Sequence, residues 1–170
     1  DPPFVPQDNP CGVYLCDFMH TSDPDAPCTY LNFEGVDSAF YVWVNGEFVG
    51  YSQVSHSTSE FDVTDVLEDG VNTLAVLVLK WCDGSYQEDQ DKFRMSGIFR
   101  DVYLLDRPKY AIRDMFVHTS IWRNVDSALV EAGISDDEYD VSPVDHATVD
   151  VDFAFFDDAD VPVKVQLFDE

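Results

Sequence analysis

The chain has 170 residues, of which 45% are apolar and 14% aromatic, so it can bury a substantial core and is too apolar to be disordered. Its acidic residues number 34 against nine basic ones, and the resulting net charge of -25 repels phosphate backbones and anionic lipid surfaces. Nucleic acid is therefore excluded as a partner. No apolar run reaches the about 18 residues that a membrane span requires, so the sequence predicts no membrane association.

The cysteine pattern bears on metal binding and on the cellular compartment. The four cysteines show no zinc-binding spacing, and the four histidines are scattered, which argues against structural zinc. Thiols at this density are compatible with the reduced, buried cysteines of a cytoplasmic protein, although the sequence leaves one or two disulfides open. We expect a cytoplasmic location.

Short strands dominate the first part of the chain. Residues 1–10 hold four prolines, which predict an extended lead-in because proline lacks a backbone donor. Strands are predicted at residues 30–33, 40–44 and 48–51, and the Asn45-Gly46 pair between the last two favours a type I′ hairpin turn. The near-continuous apolar run at residues 74–81 predicts a strand covered on both faces.

The segments around that run complete a predicted first domain. Residues 61–76 indicate a short strand, one helical turn at 64–67, a stop at Gly70 and a new strand, and Asp83-Gly84 marks a turn. Another strand is predicted at residues 99–105. Because proline cannot continue a strand ladder, Arg107-Pro108 predicts a boundary after a first domain of residues 1–107. Many short strands with turn residues between them favour an antiparallel sandwich such as a jelly roll.

The remaining residues, 108–170, predict an incomplete second sandwich. Strands are expected at 112–119, 147–156 and 161–168, with a weaker one near 127–132 and an acidic loop at 135–145. An immunoglobulin-like sandwich needs about seven strands, so this segment holds only the start of such a domain. Together with a first residue that is not methionine, the pattern predicts a fragment of a longer protein.

No catalytic motif is convincing on the residues alone. Ser55-His56-Ser57 lacks the glycines of a nucleophile elbow, and no glycine-rich phosphate loop is present. Glycoside hydrolysis needs only two carboxyl groups at a set separation, but with 34 acids a chance pair carries no information.

One acidic stretch, EDQDKFRMSGIFRDV at residues 88–102, differs from the others in its neighbours. Aromatic residues flank its acids, namely Trp81, Tyr86 and Phe93. Sugar rings stack on aromatic faces while carboxylates accept hydrogen bonds from sugar hydroxyls, so a carbohydrate contact is chemically sensible. The alternative is that Trp81, Phe93 and Phe99 are core, that Arg94 and Arg100 pair with local acids, and that Ser96-Gly97 forms a turn. The residues leave both interpretations open.

Four segments of this region resemble a known family. They are NPCGVYLCDF, LNFEGVDSAFYVWVNGEFVGYSQ, SEFDVTDVLEDGVNTLAVLVLKW and CDGSYQEDQDKFRMSGIFRDVYLL, and they resemble the amino-terminal sugar-binding jelly roll of family 2 glycoside hydrolases. The EDQD run followed by RMSGIFRDV is typical of the large β-galactosidases. The resemblance covers residues 2–105, and it implies an all-β chain: a galactose-binding-like jelly-roll sandwich followed by the first part of an immunoglobulin-like β-sandwich.

The resemblance also implies a role for one acid. In the family, two glutamates of a downstream TIM barrel hydrolyse terminal β-D-galactosides with retention, so this fragment should hold no catalytic residue and be inactive alone. Asp91, the last acid of EDQD, is expected to bind galactosyl hydroxyls and a sodium ion whose other ligands lie outside the chain. Magnesium would likewise have its ligands elsewhere. Arg94, Ser96, Gly97 and Arg100 would hold the loop against the sandwich, with Glu88 and Asp89 as supporting acids.

The expected partners are a galactoside substrate, the barrel of the same polypeptide and, for the full-length protein, further copies in a homo-oligomer. Two other functions remain open at this point. The chain could be a free-standing lectin-like carbohydrate-binding module without catalysis, as the jelly roll and the aromatic-acidic loop suggest. It could also be a structural module that contributes a subunit contact.

Overall fold

The computed structural model describes residues 3–88, 91, 93–123, 144–157 and 162–168. The chain divides into two compact units, Asp1–Lys109 and Tyr110–Glu170. All ladders among the described residues are antiparallel, and the one helical element among them is a short 3-10 helix at Asp83–Tyr86. The predicted all-β class is therefore confirmed.

Unit 1 is a sandwich of two antiparallel sheets with a short ribbon. The larger sheet has the order β1-β7-β4-β5, the smaller one β6-β2-β9, and the ribbon pairs β3 with β8. The strands are β1 (Cys11–His20), β2 (Cys28–Phe33), β3 (Val36–Asp37), β4 (Ala39–Val44), β5 (Glu47–Ser52), β6 (Ser59–Asp62), β7 (Gly70–Leu79), β8 (Gly97–Ile98) and β9 (Val102–Arg107).

The core lies between the two sheets and is centred on phenylalanines. Phe40 of β4 is 1% exposed and its ring centroid lies 4.9 Å from that of Phe33 and 5.9 Å from that of Phe61. Alternate residues of β4 and β7, such as Val42 and Val76, point into the same cluster. This alternation follows from the pleat of a strand, which directs successive side chains to opposite faces.

The Asn45-Gly46 hairpin has the predicted type I′ geometry. Asn45 has φ 53° and Gly46 has φ 84°, the two positive values that this turn requires. The Asn45 side chain also ties the turn to β7, because its Oδ1 accepts from the backbone N–H of Thr73 at 2.9 Å and its Nδ2 donates to Asn72 Oδ1 at 2.7 Å. Asn72 is fully buried, so this end of the sheet is held by satisfied amide contacts.

Replacing Gly46 with alanine is expected to destabilise unit 1 by about 1–2 kcal/mol, since a Cβ is unfavourable at positive φ. A Cβ there would meet no heavy atom within 4 Å, so the loss would come from the backbone alone. Urea unfolding measures it. Gly12→Ala is the control, because Gly12 lies in a strand at ordinary φ and its Cβ would only touch the Tyr14 ring at 3.4 Å. Equal losses in the two variants would contradict the turn argument.

Several predicted boundaries differ from the structure. Strand β1 was not predicted, although CGVYLCDFMH is rich in strand-forming residues, because its apolar side chains show no alternation. The one-turn helix expected at 64–67 is a hydrogen-bonded turn, in which Val66 and Leu67 both donate to the carbonyl of Val63 at 3.1 Å. The turn expected at Asp83-Gly84 is the start of the 3-10 helix.

Unit 2 contains one long antiparallel hairpin among its described residues. Strands β10 (Ile112–Arg123) and β11 (Val144–Phe155) pair along their length. Strand β10 ends later than the predicted residue 119, and β11 begins earlier than the predicted residue 147. The strand expected at 161–168 is absent over 162–168, which form no ladder. The strand predicted near 127–132 and most of the acidic loop lie outside the described residues. That this unit begins an immunoglobulin-like domain, with the boundary after residue 107, stays a prediction.

Candidate functional site

The loop that joins β7 to β8 starts at a well-anchored 3-10 helix. Ser85 Oγ accepts from the backbone N–H of Cys82 at 3.1 Å and shares a 2.8 Å hydrogen bond with Ser38 Oγ, which belongs to the β3–β4 connection. Ser38 is 2% exposed. The backbone N–H groups of Gln87 and Glu88 donate to the carbonyl of Gly84 at 2.9 and 3.1 Å. The first half of the loop is therefore fixed to the sandwich by hydrogen bonds.

A second contact holds the loop at Glu88. Ser55, in the connection between β5 and β6, is 1% exposed and donates its hydroxyl to Glu88 Oε2 at 2.8 Å. The Ser55 hydroxyl also lies 2.9 Å from His56 Nδ1. Although a serine, a histidine and an acid meet here, the serine is buried and contacts the acid itself, so the group lacks the accessible nucleophile that a catalytic triad needs.

The same connection is tied to the end of β5. Tyr51 donates its hydroxyl to Gln53 Oε1 at 2.7 Å. Burial, with smaller contributions from Cys82 and Tyr41, raises the pKa of the Tyr51 phenol, so the group stays protonated at neutral pH. The β5–β6 connection is thus held to β5 by the Tyr51–Gln53 hydrogen bond, and it holds the loop through Ser55.

Asp91 lies beyond Glu88 and is exposed. Its neighbours Asp89, Gln90 and Lys92 lie outside the described residues. Phe93 is 90% exposed, so the interpretation of Phe93 as a core residue is wrong. Trp81 is half-buried and Tyr86 is 45% exposed, so aromatic surface is available beside the acidic loop. This combination of a carboxylate and aromatic faces suits contact with a sugar.

Two cavities border the 3-10 helix at the start of the loop. One, of about 340 Å³, is lined by Val5, Pro6, Cys82 and Tyr86 together with Trp81, Ser85 and Arg94. The other, of about 90 Å³, shares Trp81, Ser85 and Arg94 and adds Lys80, Glu88 and Ser96 among its walls. The larger one is of the size that small ligands occupy. Asp91 lines neither of them.

A larger cavity, about 720 Å³, lies elsewhere, at the open side of the sandwich. It runs between the inner face of β1 and that of β9, the edge strands of the two sheets, and is lined mainly by apolar residues such as Leu31, Phe33 and Leu74. Sugar recognition requires several polar groups that converge on the ligand, and this cavity has few of them. We therefore place the candidate site at the β7–β8 loop.

The residues expected to hold the loop fall into two groups. Gly97 pairs with Asp37 in the β3–β8 ribbon at φ 79°, and a Cβ there would collide with the Tyr14 hydroxyl. Arg100 lies over the Phe99 ring, 5.8 Å from its centroid, and Phe99 in turn fills the space above Gly35. Arg94 and Ser96 are exposed and line a cavity beside the loop, and their role in holding it stays a prediction.

Sequence reasoning did not identify Ser55 and Ser85 as loop supports. Ser55 lies 33 positions from Glu88, and Ser38 lies 47 positions from Ser85, so no local pattern joins them. Within the described residues, no group of three or more histidine, cysteine or acidic side chains could hold a metal ion. All four cysteines are free thiols. No helix in the described part of the chain is long and apolar enough to cross a membrane.

Comparisons with known proteins identify the family of this chain. Residues 1–108 match the family model for the sugar binding domain of glycosyl hydrolases family 2. The chain therefore belongs to glycosyl hydrolase family 2 and carries its sugar-binding domain, as the sequence motifs predicted. The described residues include no TIM barrel.

Particular relatives are large β-galactosidases. The β-galactosidase of Actinobacillus pleuropneumoniae is 63% identical over 117 residues, which cover 69% of this chain and 11% of that protein. That of Staphylococcus xylosus is 51% identical over 134 residues, 79% of this chain and 14% of its own length. The chain thus spans only 11% and 14% of these relatives. Such matches do not favour the free-standing lectin-like alternative.

Solved structures support the fold. A β-glycosidase from Bacteroides vulgatus superposes with a TM-score of 0.54 at 27% identity, covering 66% of this chain and 14% of that one. The β-glucuronidase of Bacteroides uniformis gives a TM-score of 0.56 at 23% identity over 64% of this chain and 14% of its own, a likeness of fold alone.

Proposed function

We propose that this chain is the sugar-binding region of a longer retaining β-galactosidase, in which it shapes the galactose subsite while a barrel elsewhere in the polypeptide cleaves terminal β-D-galactosides. The observation that carries the proposal is the 63% identity to a β-galactosidase over 117 residues. Four free thiols support a reducing, cytoplasmic setting. A homo-oligomer of the full-length protein is part of the same proposal.

Asp91 is the residue proposed to meet the substrate. Its exposed carboxylate accepts hydrogen bonds only, so it suits the hydroxyl donors of a galactosyl group. It ends the EDQD run, whose first acid, Glu88, is held by Ser55 and which follows Ser85, held by Ser38. A charged acceptor on a held loop orients a hydroxylated ring more strongly than a neutral one, because charge-assisted hydrogen bonds are roughly twice as strong.

Sodium is proposed as a second partner of Asp91. Carboxylate oxygens are suitable ligands for hard cations. A single exposed carboxylate fills only part of a cation's coordination shell, so the proposal assigns the other ligands to parts of the protein outside the chain. The ion would offset the charge of Asp91 when sugar excludes water from the loop. Magnesium is proposed for the full-length enzyme with its ligands elsewhere.

The decisive experiment compares the 170-residue chain with the intact polypeptide that contains it. We expect the intact protein to hydrolyse a chromogenic β-galactoside in a sodium-dependent manner, and the 170-residue chain to be inactive because it lacks the barrel glutamates. Assays at constant ionic strength, with potassium or choline replacing sodium, separate a specific ion effect from screening. Hydrolysis by the chain alone would contradict the proposal. Galactose binding by the chain at about 1 mM or tighter in calorimetry would instead favour a lectin.

A further inference from the structure

The Ser55–Glu88 pair joins two segments that are far apart in sequence. Both oxygens of the Glu88 carboxylate are engaged by one residue: Oε2 accepts from the Ser55 hydroxyl at 2.8 Å and Oε1 from the Ser55 backbone N–H at 3.4 Å. Ser55 is 1% exposed and Glu88 is half-buried. A carboxylate held at both oxygens has a fixed plane, so the backbone at residue 88 is fixed with it.

The hydrogen-bond directions around Ser55 follow from its single hydroxyl proton. An ionised carboxylate only accepts, so the Ser55 proton points to Glu88. His56 Nδ1 lies 2.9 Å from Ser55 Oγ and must then be the donor in the contact between these two atoms. The His56 ring packs on Phe99, with centroids 5.2 Å apart, immediately after β8. His56 therefore connects Ser55 by packing to Phe99, next to the strand at which the loop ends.

The loop segment that contains Asp91 is held on both sides. Upstream it is fixed at Glu88, and downstream it enters the ribbon at Gly97, which pairs with Asp37. Asp91 is three residues from Glu88, and a chain spans at most about 3.3–3.6 Å per residue, so its Cα stays within about 11 Å of the Glu88 Cα. Any displacement of Glu88 therefore moves the region that Asp91 can occupy.

We propose that Ser55 and Glu88 are positioning residues for substrate and sodium binding: their hydrogen-bonded pair sets the location of the Asp91 carboxylate. This inference rests on the proposed function of Asp91. Neither residue needs to touch sugar or sodium. Without the Ser55 hydroxyl, the Glu88 carboxylate would lose its shortest contact, and the attachment of residue 88 to the β5–β6 connection would be weakened.

The test uses the intact polypeptide with Ser55→Ala, and Glu88→Ala and Glu88→Gln as independent variants. A lost hydrogen bond to a charged group corresponds to about 10- to 150-fold in an equilibrium constant, and we expect KM for the galactoside and the half-saturating sodium concentration to rise toward the lower end of this range. The value of kcat at saturating substrate and sodium should change far less. Glu88→Gln should be milder than Glu88→Ala, because the amide oxygen can still accept from Ser55.

Ser59→Ala is the matched control. Ser59 shares a 2.7 Å hydroxyl–hydroxyl contact with Ser52, and both are half-buried in the same unit, but neither joins the β7–β8 loop. Its KM and sodium requirement should match those of the wild type. Melting temperatures of all variants separate an effect on folding from one on positioning.

A double variant tests whether Ser55 acts through Asp91. In an Asp91→Asn background, Ser55→Ala should add little to KM or to the sodium requirement, because the positioned charge is already gone. Full additivity, or unchanged sodium and substrate dependence in Ser55→Ala and both Glu88 variants, would overturn the inference while leaving the proposed function intact. An inactive wild-type polypeptide, or one indifferent to Asp91→Asn, would overturn the role of Asp91 and this inference with it.

Discussion

Replacing Asp91 with asparagine in the intact polypeptide is expected to lower kcat/KM for a β-galactoside by about 10- to 150-fold, the equivalent of a lost charge-assisted hydrogen bond. Asparagine keeps the shape and one oxygen of the side chain, so the change isolates the charge. The sodium concentration for half-maximal activity should rise in parallel, since a neutral amide is a weaker ligand for a hard cation. Initial rates across a sodium series at constant ionic strength give both values.

The control is Asp65→Asn, a change of identical chemistry in the same unit. Asp65 is exposed. The next residue, Val66, accepts a hydrogen bond at its carbonyl from the side chain of Asn45 in the β4–β5 turn. This turn lies at the end of the sandwich opposite the β5–β6 connection, so Asp65 is remote from the candidate site. Both kinetic values should stay at their wild-type level. If the two asparagine variants behave alike, Asp91 is one solvated acid among 34 and has no special role.

Replacing Phe40 with alanine is expected to destabilise unit 1 by about 3–5 kcal/mol, the usual cost of deleting a buried aromatic ring. The Phe40 ring contacts that of Phe33, which is also buried in the core, and that of Phe61, which is partly buried and packs against the core. A single domain has only about 5–15 kcal/mol of stability, so the variant should be close to unfolding. Hydrogen exchange at the β4 and β7 amides reports the stability of this unit separately from unit 2.

Phe48→Ala provides the comparison on the same hairpin. Phe48 is 59% exposed and packs on the outer-face rings of Tyr41 and Trp43, with centroids 6.4 and 5.7 Å away. Its loss should cost about 1 kcal/mol. Comparable losses in both variants would mean that the core is not centred on the Phe33, Phe40 and Phe61 rings.

Local patterns predicted the parts of the fold that depend on local chemistry. Asn45-Gly46 specified its turn because few residue pairs tolerate two positive φ values. Strand β4 was found because its apolar residues lead directly into the Asn45-Gly46 turn pair. Strand β1 was missed because Val13, Tyr14 and Leu15 are consecutive apolar residues without alternation, and at the edge of its sheet all three remain exposed. Periodicity cannot identify a strand whose two faces are alike.

The candidate site divides in the same way. The EDQD motif and its resemblance to a family singled out Asp91, and no composition argument could have separated it from the other acids. Its supports could not be predicted, because the hydrogen bonds from Ser55 to Glu88 and from Ser38 to Ser85 join residues 33 and 47 positions apart. The role of Phe93 also depended on packing, which left it 90% exposed where composition allowed a core residue.

By itself, the sequence determined the all-β class, the hairpin turn and the family, and it singled out Asp91 as the proposed sugar ligand, because each of these is encoded in residues that are close together. Only the tertiary structure decided how the loop is held. Sheet formation brings the β5–β6 connection, the β3–β4 connection and the β7–β8 loop to one end of the sandwich, and pairing across such distances depends on strand order and register. A buried hydroxyl becomes a loop support only when that register places it opposite a carboxylate, as Ser55 is placed opposite Glu88.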